Sequence, residues 1–125
     1  MKRFTLAWVA VGAMLLASSA SAMTVQEFLT TSAGIPRNPM ALLRADTRRL
    51  MDEIKGAFAT LKTERETAVA ARRRPAFCPP ESGRASVNAD QILARLNSVP
   101  ASRRSISVTQ AMREWMAERY PCPPQ

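Results

Sequence analysis

Two cysteines, each set among prolines, constrain the fold of this chain more than any other feature. They stand in Phe77-Cys78-Pro79-Pro80 and in Tyr120-Pro121-Cys122-Pro123-Pro124, and they bracket a segment with the pattern of two short helices. The chain has no histidine, which excludes a standard zinc site, and the C-x-x-C spacing of thiol oxidoreductases is absent. We therefore predict a disulfide between Cys78 and Cys122, which stabilises the fold by ~4 kcal/mol in the chain-entropy model.

The N-terminus supplies the oxidising compartment that a disulfide requires. Two basic residues are followed by an apolar stretch over residues 6–16, and Ala20-Ser21-Ala22 fits a signal-peptidase site. Counted more generously, from residue 4 to residue 17, the apolar run covers ~14 positions, whereas a membrane-spanning helix needs ~20. We predict that residues 1–22 are a signal peptide, cleaved after Ala22, and that residues 23–125 form a single helical domain in the periplasm or outside the cell.

Three helix starts can be recognised by an N-cap residue that is followed three positions later by glutamate or glutamine. These pairs are Thr24 with Glu27, Asn88 with Gln91, and Ser107 with Gln110. In the last of these helices one face is apolar at helical spacing. That face consists of Val108, Ala111, Met112, Trp115 and Met116.

The longest predicted helix begins at Asn38-Pro39 and extends to about Arg73. Its apolar positions recur at helical spacing. They are Leu43, Leu50, Ile54, Ala57, Phe58 and Leu61. An unbroken helix of this extent measures roughly 50 Å, more than the diameter of so small a domain, so a break or an overhang is expected. Because residues 62–67 are polar on all sides, we expect the C-terminal turns to project or fray.

Together these elements predict an all-α protein, a small bundle of about four helices, one of them long. The disulfide closes the C-terminal helix pair. No segment shows sustained apolar alternation with a period of two, so no sheet is expected. Trp115, Met112 and Met116 are assigned to the core in preference to a ligand pocket.

The sequence offers little for catalysis or for a cofactor. Without histidine the chain lacks the commonest general base and any histidine-dependent triad. Its glycines are isolated from one another, whereas a phosphate-binding loop needs several close together. The paired carboxylates have spacings typical of exposed helix faces. They are Asp52-Glu53, Glu64/Glu66 and Glu114/Glu118. We predict that the chain is not an enzyme and takes no cofactor and no metal.

Charge does not favour nucleic acid as a partner. The net charge is +8 at pH 7, and most of the positive charge is arginine, but acidic residues are interleaved through most of the sequence. An arginine-rich surface also favours carboxylates and acidic partners over long range. We therefore expect no nucleic-acid binding and leave an acidic partner open.

The C-terminal half of the chain combines three features in a fixed order. It starts with Phe-Cys-Pro, continues with a capped helix that ends at Pro100, and finishes with a second helix that ends in Tyr-Pro-Cys. The pattern resembles the Rap/Tai family of small periplasmic immunity proteins, which is related in build to periplasmic acid-stress chaperones. The resemblance covers residues 77–122, with a looser match at Phe28 and Gly56-Ala57-Phe58. It implies binding to a toxic effector of a type VI secretion system, such as a peptidoglycan amidase, and blockage of that effector's active site.

A binding protein of this kind needs an anchor residue that enters a pocket of its partner. The candidate partner contacts are Arg103 and Arg104, in the loop between the helices that the disulfide brackets. A homodimer that buries the remaining surface of the long helix and a monomer are both compatible with the sequence.

Two alternatives stand beside the immunity hypothesis. The first is a periplasmic chaperone or envelope-stress protein, in which protonation of carboxylates loosens the fold at acid pH. The second is docking of an arginine-rich helix on anionic lipid through Arg65 and the arginines at positions 72–74. It ranks last because Glu64 and Glu66 dilute the charge and the opposite face has only alanines and Val69 to insert. Membrane contact is not expected once the signal peptide is removed.

Overall fold

The computed structural model describes residues 22–80 and 87–124. These residues form four α-helices, which are α1 (Val25–Ala33), α2 (Ala45–Ala70), α3 (Ala89–Ser98) and α4 (Val108–Arg119). A 3-10 segment (Pro39–Leu43) precedes α2, and a 3-10 turn (Ala101–Arg103) precedes α4. The described residues contain no strand, so the prediction of an all-α bundle of about four helices is confirmed. The predicted signal peptide, apart from Ala22, and the loop over residues 81–86 lie outside the described residues.

The predicted N-caps form the expected side-chain hydrogen bonds. The Thr24 hydroxyl accepts from the Glu27 N–H at 3.1 Å, and the Glu27 carboxylate accepts in return from the Thr24 N–H at 3.4 Å. Asn88 and Gln91 make the same reciprocal pair at 2.9 and 3.0 Å. At α4 the cap is one-sided, because Ser107 accepts from the Gln110 N–H while the Gln110 side chain bonds within α4. These starts are local, so three residues of sequence are enough to define each of them.

The core forms where α2 packs against α1 and α4, and where α3 packs against α1 and α4. The largest fully buried side chains come from all four helices and are Leu61, Leu96, Met112, Met116, Val25 and Val108. The apolar face predicted for α4 is buried, except that Trp115 is only half-buried. Burial of these side chains supplies most of the stability of a domain this small, since α1, α3 and α4 have only 9, 10 and 12 residues and are too short to be stable alone.

The long helix begins later than predicted, at Ala45 instead of near Asn38. Arg44 is extended, with φ −76° and ψ 141°, and its N–H closes the 3-10 segment on the Ala41 carbonyl. This break turns the segment away from the axis of α2, so the prediction that Leu43 belongs to the buried face was wrong: Leu43 is 69% exposed. The expected break therefore lies at the N-terminal end of the long element.

The expected fraying at the other end of α2 does not occur, because the helix runs without a break through Ala70. Ala68 is buried there, and Glu64 is bound to Arg113 of α4 by two hydrogen bonds of 2.6 and 2.9 Å. Arg72 then ends the helix in the left-handed region at φ 56°, and the next N–H bonds back to the Ala68 carbonyl at 2.8 Å. No helix within the described residues is long and apolar enough to span a membrane.

The predicted disulfide is present between Cys78 and Cys122, with the two Cα atoms 4.8 Å apart. The Cys78 N–H donates to the Tyr120 carbonyl at 2.8 Å, and Arg74 donates to the Cys122 carbonyl at 2.7 Å. The bridge therefore closes the α3–α4 pair as predicted. It also fixes the end of α4 against the chain that leaves α2.

The starts of α1 and α4 are hydrogen-bonded to each other, which the sequence did not predict. The Val25 N–H donates to the Ile106 carbonyl and the Gln26 N–H to the Arg104 carbonyl, both at 2.9 Å. In the opposite direction, the Val108 N–H donates to the Met23 carbonyl at 2.9 Å. The first N–H groups of a helix have no partner within the helix, and here three of them find one on the neighbouring helix start.

Candidate functional site

An apolar cavity of about 740 Å³ lies between α1, the 3-10 segment, α2 and α3. Its inner wall is made of core side chains, which are Phe28 and Leu29 of α1, Leu50 of α2 and Ile92 of α3. Half-buried residues such as Ile54 and Leu93 complete the wall toward the opening. We call this cavity the apolar pocket. Cavities of this size and character are typical binding sites for apolar groups.

Large exposed apolar side chains belong to the elements that form the pocket. Met51 of α2 lines it and is itself 47% exposed. The 3-10 segment contributes Ala41 to the lining and leaves Met40, Leu42 and Leu43 exposed. Because exposed apolar surface of this extent marks interaction sites, the pocket and this segment are the strongest candidate for a docking surface in the described residues. Methionine side chains adapt to partners of different shape.

The polar groups of the pocket are few. The hydroxyl oxygen of Thr47 is buried and has no hydrogen-bond partner, whereas the Ser32 hydroxyl donates to the Leu29 carbonyl at 3.0 Å. Arg37 and Lys55 supply positive charge, and none of the lining residues is acidic. The pocket therefore offers apolar contact area and two cationic side chains. That combination suits an apolar group with a negative charge beside it.

Replacing Thr47 by valine is expected to raise the free energy of unfolding by about 1 kcal/mol, because a buried hydroxyl without a partner has lost its hydration without compensation. The measurement is urea unfolding of both proteins, followed by circular dichroism. Thr63→Val on the same helix is the matched control, since its hydroxyl is exposed and bonded to the Ala59 carbonyl. A Thr47→Val protein less stable than the parent would contradict the assignment of an unsatisfied hydroxyl.

The structure places both predicted partner-contact arginines in bonds within the chain. Arg103 donates to Glu114 of α4 at 2.8 Å and stays about half-exposed. The Arg104 guanidinium donates to the carbonyls of Val99 and Asn97, at 3.0 and 3.2 Å, where α3 ends. Arg104 therefore satisfies carbonyls at the C-terminus of α3, and Arg103 keeps a face toward solvent. Contact between either residue and a partner stays a prediction.

Three ion pairs connect different elements of the fold. Arg113 binds Glu64 across α4 and α2, and the hydrogen bond from Arg113 holds the pKa of Glu64 below its usual value. Arg95 binds Glu118 across α3 and α4, at 2.7 and 2.9 Å, and likewise lowers the pKa of that carboxyl.

The third pair joins the 3-10 turn to α4. The Arg103 hydrogen bond lowers the pKa of Glu114. Since all three acidic partners are paired with arginine, all three pairs persist until the pH falls below the ordinary range for glutamate.

A comparison of the chain with protein-family models, with curated proteins and with solved structures finds no match in any of the three. Among the residues that the structure describes, no group of three or more histidine, cysteine, aspartate or glutamate side chains is placed to hold a metal ion. Within the described residues, the apolar pocket is therefore the feature that best supports a binding function.

Sequence reasoning missed the apolar pocket, although one signal pointed to it. The run Met40-Ala41-Leu42-Leu43 is more apolar than a single core-facing stripe requires, because a helical stripe places apolar residues three or four positions apart. Such a run just after Asn38-Pro39 indicates apolar side chains on more than one face. At least one face then has no neighbour within the domain.

Proposed function

We propose that this chain is an exported, non-enzymatic protein-binding protein of the immunity type, which binds a secreted effector such as a peptidoglycan amidase and blocks it. The observation that carries the proposal is the apolar pocket with its exposed rim at Met51 and along the 3-10 segment. We propose that this surface receives an apolar side chain of the effector that is flanked by acidic residues. Arg37 and Lys55 complement those acidic residues.

Export is supported by the disulfide between Cys78 and Cys122 and by the signal-like N-terminus. Disulfides persist in the periplasm and outside the cell, where thiols are not kept reduced. The immunity role is supported by the resemblance of residues 77–122 to the Rap/Tai family. Both supports are independent of the pocket.

Replacing Met51 by aspartate is expected to weaken effector binding at least tenfold, which corresponds to about 1.4 kcal/mol. The substitution places a negative charge on the apolar rim and opposes the acidic residues expected on the partner. The effector to be used is the product of a cell-wall hydrolase gene beside the gene for this chain. Binding is measured by isothermal titration calorimetry, and inhibition by peptidoglycan turnover.

Val69→Asp is the matched control, because Val69 is an exposed apolar residue on the same helix and does not line the pocket. It is expected to bind as the parent does. Equal loss in both variants would place the contact elsewhere, and failure of the parent to bind or inhibit the neighbouring hydrolase would overturn the immunity role. A dimer of the parent that Met51→Asp dissociates would identify a second copy of this chain as the occupant.

A periplasmic chaperone is the second candidate, and the three ion pairs between elements favour it. Each depends on a glutamate, so acid breaks all three: Glu64 with Arg113, Glu114 with Arg103, and Glu118 with Arg95. A carboxyl with a lowered pKa contributes stability above its unfolded pKa and loses it as the pH falls through the folded value. Suppression of client aggregation below pH 4 but not at pH 7, measured by light scattering, would favour this candidate over the immunity role.

A further inference from the structure

Met23 is held inside the fold although it is the first residue after the predicted cleavage site. Its side chain is 4% exposed, and its carbonyl accepts from the Val108 N–H at the start of α4. Its own N–H donates to the Glu53 carboxylate of α2 at 3.2 Å. The backbone of one residue therefore contacts two different helices, whereas Ala22 immediately before it is exposed.

A carboxylate bonded to the backbone N–H of residue 23 is unusual, because this hydrogen bond belongs to no cap and no helix. It bridges residues 30 positions apart. A carboxylate binds an ammonium group more strongly than it binds a backbone amide N–H, since charge-assisted hydrogen bonds are shorter and about twice as strong as neutral ones. The small residues of Ala20-Ser21-Ala22 mark the bond whose cleavage would create that ammonium group.

We infer, resting on the export proposed above, that cleavage between Ala22 and Met23 creates an α-ammonium group that Glu53 binds, so that the new N-terminus becomes part of the folded domain. A leader peptidase hydrolyses the bond with one water. The Ala22 carbonyl carbon receives the water oxygen and leaves as a carboxylate on the leader. The Met23 nitrogen receives the hydrogen and, once protonated, presents three N–H donors where the uncleaved chain has one.

The same geometry sets the order of events. A peptidase binds an extended segment on both sides of the bond that it cuts, and in the folded domain Met23 is buried and its carbonyl is occupied by α4. Cleavage therefore precedes the docking of α1 on α4. Docking then covers the new terminus and pairs it with Glu53.

Several other charged groups belong to the elements around Met23. Glu27 of α1 bonds to the neighbouring Thr24 N–H, and Arg104 before α4 is engaged with the end of α3. On α2, Arg49 lies one turn before Glu53 and Asp52 lies next to it. Among these, Glu53 is the group bonded to the Met23 nitrogen.

The experiment measures the pKa of the α-amine in a chain that begins at Met23, released from a fusion by a protease that leaves no extra residue. Trace acetylation with acetic anhydride over a series of pH values reports the unprotonated fraction of each amine, and few amines compete because Lys55 and Lys62 are the only lysines beyond the cleavage site. The α-amine is expected to titrate above its ordinary range of about 7.7–8.0. In Glu53→Gln it is expected to return to that range, while Asp52→Asn is expected to leave it raised.

A raised amine pKa adds stability that is fully present below the unfolded pKa and is lost as the pH rises through the folded value. The Met23 chain is therefore expected to lose more thermal stability between pH 6.5 and pH 10 than Glu53→Gln. A chain that keeps one additional residue, Ala22, moves the ammonium away from Glu53 and serves as a second test if Glu53→Gln does not fold.

An α-amine that titrates in its ordinary range in the Met23 chain would overturn the inference. So would an exported protein whose N-terminal sequence begins anywhere other than Met23. Neither result depends on Met51 or on the effector, so failure here is distinguishable from failure of the proposed pocket. A cytosolic location with the leader retained would overturn export and this inference together.

Discussion

Replacing Cys78 and Cys122 together by serine is expected to lower the free energy of unfolding by about 4 kcal/mol. The bridge closes a loop across a sequence separation of 44 residues. Without the bridge, the unfolded chain regains the conformational entropy that closing this loop removes. Domains of this size have roughly 5–15 kcal/mol in total, so much of the native stability is removed. Urea unfolding of a chain that begins at Met23, followed by the fluorescence of Trp115, its one tryptophan, measures the loss.

A chemical control separates the bridge from the side chains. Reductant added to the parent is expected to reproduce the destabilisation, and reductant added to the double serine variant is expected to change nothing. The hydrogen bonds from Cys78 to Tyr120 and from Arg74 to Cys122 use backbone carbonyls, so the serine variant keeps them. A loss below 1 kcal/mol would contradict the assignment of this stability to restriction of the unfolded chain by the bridge.

Replacing Leu96 by alanine is expected to cost about 3 kcal/mol, within the roughly 2–5 kcal/mol found for fully buried leucines. Leu96 of α3 has no exposed surface, and removing three carbon atoms leaves a cavity in the core that the surrounding helices fill only in part. The same urea titration measures it. Because Ile92 and Leu96 are the two buried residues that α3 contributes to the core, the loss is expected to loosen α3 most.

Leu42→Ala removes the same three carbon atoms from a side chain that is 68% exposed, and it is the matched control. Its expected effect is within about 0.5 kcal/mol of the parent. Similar losses in the two variants would contradict the packing described here, since they would require Leu42 to be buried in solution by a second copy of the chain.

Helix starts and the disulfide could be predicted from the sequence because each depends on nearby residues or on a small set of alternatives. The caps at Thr24, Asn88 and Ser107 bond within three residues of themselves, so tertiary structure has little influence on them. With only two cysteines and no histidine, the choice of pairing was also narrow.

Contacts between distant residues could not be predicted in this way. Helical spacing placed Leu43 on the same face as Leu50, but the extended backbone of Arg44 removes Leu43 from that face. The polar end of α2 was expected to fray because its own sequence shows no packing partner. The partner is Arg113, which lies 49 positions from Glu64, and no local pattern predicts that pair.

The apolar pocket could not be predicted for the same reason, because it depends on contacts between distant residues. Its inner wall consists of core residues that the sequence identified as apolar, such as Leu50 and Ile92. The periodicity of each single helix does not predict the space that three helices and a 3-10 segment leave between them. That space depends on how the helices cross, which packing across the whole domain decides.

The disulfide also determines how the domain responds to a mechanical load. A force applied between Met23 and the C-terminal residues passes through α1 and α2 to Cys78, crosses the bridge to Cys122, and leaves the domain there. Helices α3 and α4 lie on the bypassed loop and carry no tension through their backbone. The 44 residues of separation represent about 150 Å of extended chain that stays out of the tether as long as the bridge is intact.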